Sequence, residues 1–233
     1  MTQKFIDLTL EISDNMPSHQ AFQRPIYVPH MTHESTAKKS LGTKEDPYTS
    51  ATNYIGMIEH VGTHVDAFYH VDPNGLTIDQ MSLDMFFGKA ICFDMTHIPD
   101  LGEIHVEDLE EAEEKAGIKV DGHIVLLNTG LHKRHYPNPE VCHSNPGLTA
   151  AATHWLADRN SKAHGVEGPS TDLPSNKLYP NHRVCRDRGI FHYEWLVNLE
   201  ELVGKGEFMF HGLPLKLKGG SGSPVRAYAI INE

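Results

Sequence analysis

Apolar residues recur along this chain in short bursts separated by turn-forming residues, a pattern of many short strands and few helices. Phe5–Leu10 alternates and predicts an opening strand, and Pro17 breaks the segment after it. Ala90–Phe93 and Ile124–Leu127 are apolar runs of strand length. Between them, Val106–Ala116 reads as a Glu-rich helix with a solvated acidic face, and Gly117 sits where a stop is expected. Asn145-Pro146-Gly147 leads into a second helix over Leu148–Arg159, with Leu148, Ala152, Trp155 and Leu156 as its buried stripe. Ala163–Val166, Phe208–Phe210 and Arg226–Ile231 complete the strand set. Residues 18–50 stand apart. They are polar, carry Pro25, Pro29, Gly42 and Pro47, and predict a long loop or lid. The sum is a mixed α/β fold, read as a single domain over residues 1–233.

The run with the most chemistry is His60-Val61-Gly62-Thr63-His64-Val65-Asp66-Ala67-Phe68-Tyr69-His70. Its three histidines and carboxylate all fall on even positions. In an extended strand, alternate side chains share a face, so His60, His64, Asp66 and His70 would project together. A helix would turn Asp66 away from His60 and His64, and Gly62-Thr63 disfavours one. Imidazoles and a carboxylate on one face are the ingredients of a divalent-metal site with a spare acid or base.

Bulk properties narrow the classes. The formal net charge is −11, which disfavours binding to nucleic acid or anionic membranes. No apolar run reaches membrane-spanning length and no secretory leader is evident, so a cytoplasmic location is expected. Cys92, Cys142 and Cys185 are widely spaced, without a CxxC, and read as structural or incidental thiols. The 17 histidines are the compositional anomaly, and histidine is a good ligand for zinc, manganese or iron. Gly219-Gly220-Ser221-Gly222-Ser223-Pro224 lacks the Lys-Ser/Thr ending of a phosphate loop and reads as a flexible turn.

The His60–His70 run resembles the HxGTHxDxPxH signature of the cyclase family of metal-dependent hydrolases, which includes kynurenine formamidases, isatin hydrolases and trans-dienelactone hydrolases. Weaker blocks agree with it: Ile6-Asp7-Leu8-Thr9, Leu126–Gly130, Pro146-Gly147-Leu148 with Trp155-Leu156, Gly165–Asp172, Glu194 with Asn198-Leu199, and Gly222–Ala227. The resemblance implies the family's swivelling β/α domain and a homodimer or larger assembly, with N-terminal segments near a neighbour's site. It implies metal ligation by His60, His64 and Asp66, and an acid/base role for His70. His182 and Glu194, twelve residues apart, match the pair that completes a second metal position in the dinuclear members. One or two ions of zinc or manganese are implied. Phe68 replaces the signature's proline, which leaves open the path of the loop carrying His70, and Glu167 replaces an aspartate.

The implied activity is hydrolysis of a small amide, formamide, lactam or lactone carbonyl by a metal-activated water. Phe68, Tyr69, Trp195 and the 18–50 segment are the expected pocket for an aromatic or cyclic small molecule. Two other readings stay open on the residues alone. His64, Asp66 and His182 could form the facial triad of a non-haem iron oxygenase. Alternatively, His60, His64, Asp66 and His70 could close around a structural metal in a non-catalytic protein. A serine hydrolase is disfavoured by the lack of a G-x-S-x-G elbow.

Overall fold

The computed structural model describes residues 2–19, 21–39 and 41–232. In chain order its elements are β1 (Gln3–Asp7), β2 (Ile26–Met31), α1 (His33–Ala37), β3 (Thr52–Gly56), β4 (His64–Asp66), β5 (Phe87–Asp94), β6 (Glu103–Ile104), α2 (Val106–Ala116), β7 (Ile124–Asn128), α3 (Leu131–His135), β8 (Gly147–Leu148), α4 (Ala150–Asp158), β9 (Ala163–Val166), α5 (Pro180–Arg188), β10 (Phe191–Glu194), β11 (Phe208–His211), β12 (Gly222–Pro224) and β13 (Tyr228–Asn232). The fold is mixed α/β. One sheet runs β1-β13-β11-β5-β7-β9-β10-β4-β12. Its centre, β5-β7-β9-β10, is parallel, and the flanking ladders are antiparallel.

Strand periodicity divides the core. On β5 and β7, Ile91, Phe93, Val125 and Leu127 face α2 and α4, meeting Leu109, Ala112, Ala152, Trp155 and Leu156. Ala90, Cys92, Ile124 and Leu126 face the other way and pack with Phe86, Tyr193, Phe210 and Ala229. Strand β7 is buried on both faces, which is why its sequence is an unbroken apolar run. Helix α2 ends at Gly117, whose φ of 65° supplies the left-handed cap. Helix α4 begins later than the periodicity suggests. Leu148 pairs with Ile104 in the β6–β8 ladder, and Thr149 caps the helix by accepting from the Ala152 N–H.

Two other segments depart from expectation. The opening strand stops at Asp7 because the chain then crosses to the 195–197 segment, where Leu8 accepts from the Val197 N–H. Residues 18–50 are only partly loop, since they contain β2 and the short α1. Together with β3, β2 forms an exposed two-stranded arm carrying Tyr27, Val28, Tyr54 and Ile55. Polar composition hid these strands because the arm has almost no buried side.

Candidate metal centre

The ligand-bearing segment is not one extended strand. His60 lies in a turn, Gly62 at φ 71° reverses the chain, only His64–Asp66 is strand, and Phe68–His70 is a 3-10 turn. His64 and Asp66 alternate on β4 and share a face. The antiparallel neighbour β10 sets Glu194 opposite His64, so Glu194 and His192 join that face. Val65 and Tyr193, one position out of phase, point into the apolar core instead. Helix α5, started by Pro180 and stopped by Gly189, brings His182 over the same spot.

These side chains meet around two carboxylates. Asp66 Oδ1 lies 2.7 Å from His60 Nδ1 and 3.3 Å from His64 Nε2. Asp66 Oδ2 lies 3.1 Å from His192 Nε2, 3.7 Å from His70 Nε2 and 3.8 Å from His182 Nε2. Glu194 divides in the same way, with Oε2 3.4 Å from His64 and Oε1 3.4 Å from His192 and 4.0 Å from His182. Around the carboxylates the atoms fall into two groups of metal-ligand spacing, His60/His64/Asp66 and Asp66/His182/His192/Glu194, and a third group, His164/Cys185/His192, lies behind them without a carboxylate.

The outer ring nitrogens fix which inner nitrogens are free. His64 Nδ1 donates to the Gly62 carbonyl at 2.8 Å, leaving Nε2 as the inward nitrogen, free to bind a metal once its proton is displaced. His182 Nδ1 donates to Asp172 Oδ2 at 2.5 Å, with the same result. Ser221 Oγ must donate to the Glu59 carboxylate at 2.7 Å, so it accepts from His60 Nε2–H at 2.9 Å. His60 Nδ1 then faces Asp66 Oδ1 at 2.7 Å, where a proton or a metal ion can bridge the two atoms. His64 Nε2 and His192 Nε2 are buried without a hydrogen-bond partner despite their near approach to carboxylate oxygens. Two ligands of a tetrahedral ion at about 2.05 Å would stand about 3.3 Å apart. The donor set, its burial and its outer hydrogen bonds therefore fit a divalent metal.

Electrostatics agree. Burial would raise both carboxyl pKa values, but the surrounding histidines outweigh it, holding Asp66 well below the usual range and Glu194 down to about 2. Burial would lower His64, but Asp66 and Glu194 push it up to about 10. His70 moves the other way. Burial is the main cause, and the neighbouring His60 and His182 assist in bringing it down to about 4. His70 is thus neutral at pH 7, and it stands on the wall of an open cavity of about 530 Å³. The cavity is walled by His19, Phe22, Leu173, Leu178 and Tyr179, with Lys177, Arg183 and Arg186 also on its lining.

The expected pocket roles of Phe68, Tyr69 and Trp195 are not met by this geometry. Trp195 is 1% exposed and packs with Leu10, Met16, Val61 and Val197. Phe68 packs on Phe191, and Tyr69 is 42% exposed at the surface. The 18–50 segment does reach the cavity, through His19 and Phe22. Phe68 is the first residue of its 3-10 turn, after extended Ala67, a position proline also favours. The loop to His70 therefore keeps a proline-compatible path.

Sequence reasoning missed His192, Asp172, Ser221 and Glu59. The period-two relation of His192 to Glu194 was the available signal. The glycine-rich segment is also more than a turn: a Cβ on Gly222 would sit 2.7 Å from His60 Cε1. Closure by His60, His64, Asp66 and His70 is not what forms, because His70 approaches the opposite oxygen of Asp66 from His60 and His64. Nor is His64/Asp66/His182 an isolated facial triad, since His60, His192 and Glu194 crowd the same oxygens.

Comparison with known proteins places this site in a family. The Cyclase family profile matches residues 6–173, and the chain belongs to that family. Among curated relatives, kynurenine formamidase of Bacillus cereus is 28% identical over 186 residues, covering 79% of this chain and 82% of that protein. That of Salinibacter ruber is 29% identical over 184 residues, covering 78% and 81%. Among solved structures, isatin hydrolase A from Ralstonia solanacearum superposes with a TM-score of 0.86 at 24% identity, over 99% of this chain and 92% of that one. These structural neighbours share the fold. Among the described residues, no helix is long and apolar enough to cross a membrane.

Proposed function

We propose that this chain is a metal-dependent hydrolase that cleaves the carbonyl–nitrogen bond of a small amide, with formamides and lactams as the substrate class and lactones as a related one. The observation that carries the reading is the set of inward-facing ring nitrogens of His60, His64 and His182, each oriented by an outer hydrogen bond, around Asp66 and Glu194. His60, His64, Asp66, His182 and Glu194 would hold one or two divalent ions, zinc or manganese. When bound, such an ion supplies an acidified water and a Lewis acid for the substrate carbonyl.

The chain's own residues do the rest. His70 is neutral and on the cavity wall, so it accepts the proton of the attacking water and returns it to the leaving nitrogen. Asp172 holds His182 in one tautomer, and the Ser221–Glu59 pair does the same for His60. Phe22, Leu173, Leu178 and Tyr179 give the cavity an apolar wall suited to an aromatic or cyclic substrate. The relatives named as kynurenine formamidases and the neighbours named as isatin hydrolases support that substrate class.

The test is acid release in a pH-stat, using metal-loaded protein with an N-formyl aryl amine, an isatin-type lactam and a lactone. Chelated protein is the control. Metal-dependent acid release on any of the three is expected. A metal-loaded protein silent on all three, with a panel of further amides equally inert, refutes the reading. We also place the protein in a homodimer or larger assembly, supported by the exposed apolar residues of the β2–β3 arm. Sedimentation analysis tests this, and a monomer at micromolar concentration refutes it.

A further inference from the structure

His192 is left over when the expected ligands are assigned, yet it is among the most deeply buried polar residues of the site. Its surroundings determine its tautomer. Thr153 donates its hydroxyl proton to the Thr149 carbonyl at 3.2 Å, so it accepts from Asn181 Nδ2 at 2.6 Å. The same amide group donates to His164 Nε2 at 3.3 Å. Asn181 Oδ1 accepts from Thr171 at 2.6 Å and from the Cys185 thiol at 3.5 Å. With its proton used there, Cys185 Sγ accepts from His192 Nδ1–H at 3.7 Å. The whole chain runs in one direction and leaves Nε2 as the ring nitrogen of His192 that faces the carboxylates. That atom lies 3.1 Å from Asp66 Oδ2 and 3.4 Å from Glu194 Oε1, and it has no hydrogen bond.

We propose that His192 is a metal ligand, completing with Asp66, His182 and Glu194 a four-ligand position, with Cys185 as the outer partner that orients its ring. The inference rests on the metal-centre reading above and extends it. It divides the labour between the two groups. Four protein ligands close the second position, as in structural zinc sites, whereas His60, His64 and Asp66 leave an open position for water, as in catalytic ones. Cys185 is then neither incidental nor a ligand.

The test is metal loading of the full-length chain. Chelator-stripped protein is titrated with Zn²⁺ and with Co²⁺ against a competing chromophoric chelator, and metal per chain is counted by mass spectrometry. Wild type is expected to take up two ions. His192→Leu is expected to keep one and to bind the other at least about 100-fold more weakly. Cys185→Ala is expected to weaken the same ion about tenfold, with Cys185→Ser restoring it. Uptake of both ions by His192→Leu at wild-type affinity would overturn the proposal. So would a near-ultraviolet thiolate-to-cobalt band that disappears in Cys185→Ser, because the thiol would then be a ligand itself. If circular dichroism shows His192→Leu unfolded, the two Cys185 variants decide alone, and equal affinities in both overturn the proposal. A wild type that binds no metal brings down the metal-centre reading as well. A wild type that binds two, with His192→Leu unchanged, brings down only this one.

Discussion

His64 and Glu194 are direct partners across the β4–β10 ladder, and their side chains meet at 3.4 Å on the same face. Backbone register thus sets a ligand pair that is 130 positions apart in sequence. Glu194 offers one oxygen to each half of the site. Glu194→Gln, which keeps the shape and removes the charge, should lower bound metal by one ion per chain. Turnover should fall by at least about tenfold. Metal analysis beside the acid-release assay checks both, and full occupancy in the variant would contradict a ligand role for Glu194.

His70 stands 3.7 Å from Asp66 but belongs to neither ligand group. His70→Ala should retain wild-type metal content and lose about 10²- to 10⁴-fold in kcat. Unchanged kcat would remove it from the proton transfer, and lost metal would make it a ligand.

Asp172 touches no metal position directly but receives three hydrogen bonds, from the Asn181 and His182 N–H groups and from His182 Nδ1. Asp172→Asn removes the charge that orients His182. Metal affinity should drop about 10- to 100-fold with the fold intact. Chelator competition reads the affinity, and circular dichroism the fold.

The histidine pKa values make metal binding and proton release one event. Without metal, His64 is held up to about 10 by Asp66 and Glu194 against the opposing effect of burial, so it is protonated at pH 7. An entering cation must displace that proton, so affinity should rise with pH. Calorimetry in buffers of different ionisation enthalpy should show proton release at pH 7, and none would contradict this. The metal-free fold should behave in the opposite sense. A folded pKa above the ordinary 6.5 contributes stability that is complete below about 6.5 and is lost as pH rises through about 10. Denaturant titrations of the chelated protein across that window measure the loss.

Thr63 ties three segments together. Its hydroxyl accepts from the Leu10 N–H at 2.8 Å and donates to the Trp195 carbonyl at 2.5 Å. Trp195 itself sits at φ 57°, a strained conformation for a bulky residue, immediately after Glu194. Thr63→Val leaves both backbone groups buried without that partner and should cost about 1–3 kcal/mol. Thermal unfolding measures the cost, and an unchanged Tm would show that the hydroxyl is dispensable.

Much of the fold was readable in the chain because local rules governed it. The double-faced burial of β7 wrote itself as an apolar run, and the Gly117 stop sits at the end of α2. His64 and Asp66 alternate because they lie on a real strand. The features that could not be read depended on partners distant in sequence. The even spacing of His60 and His70 suggested one strand, whereas a turn and a 3-10 turn deliver them to Asp66. The period-two spacing of His192 and Glu194 placed them on one face, but what that face meets was not readable until β10 was paired with β4. Trp195 looked like a pocket aromatic because sequence cannot tell which way a chain turns after a strand, and a positive φ turns it into the core.

The cavity wall and the metal centre come from different parts of the fold. Leu173, Leu178, Tyr179 and Arg183 belong to the connection after β9 and to α5, while most inward donors project from β4, β10 and the turn before β4. Substrate preference is therefore largely a separable module, open to exchange without rewriting the chemistry. His182 is the exception, being carried on the same helix as Arg183. Any redesign or drift of that wall that shifts α5 would carry a ligand with it, so selection for a new substrate here is also, unavoidably, selection on the grip on metal.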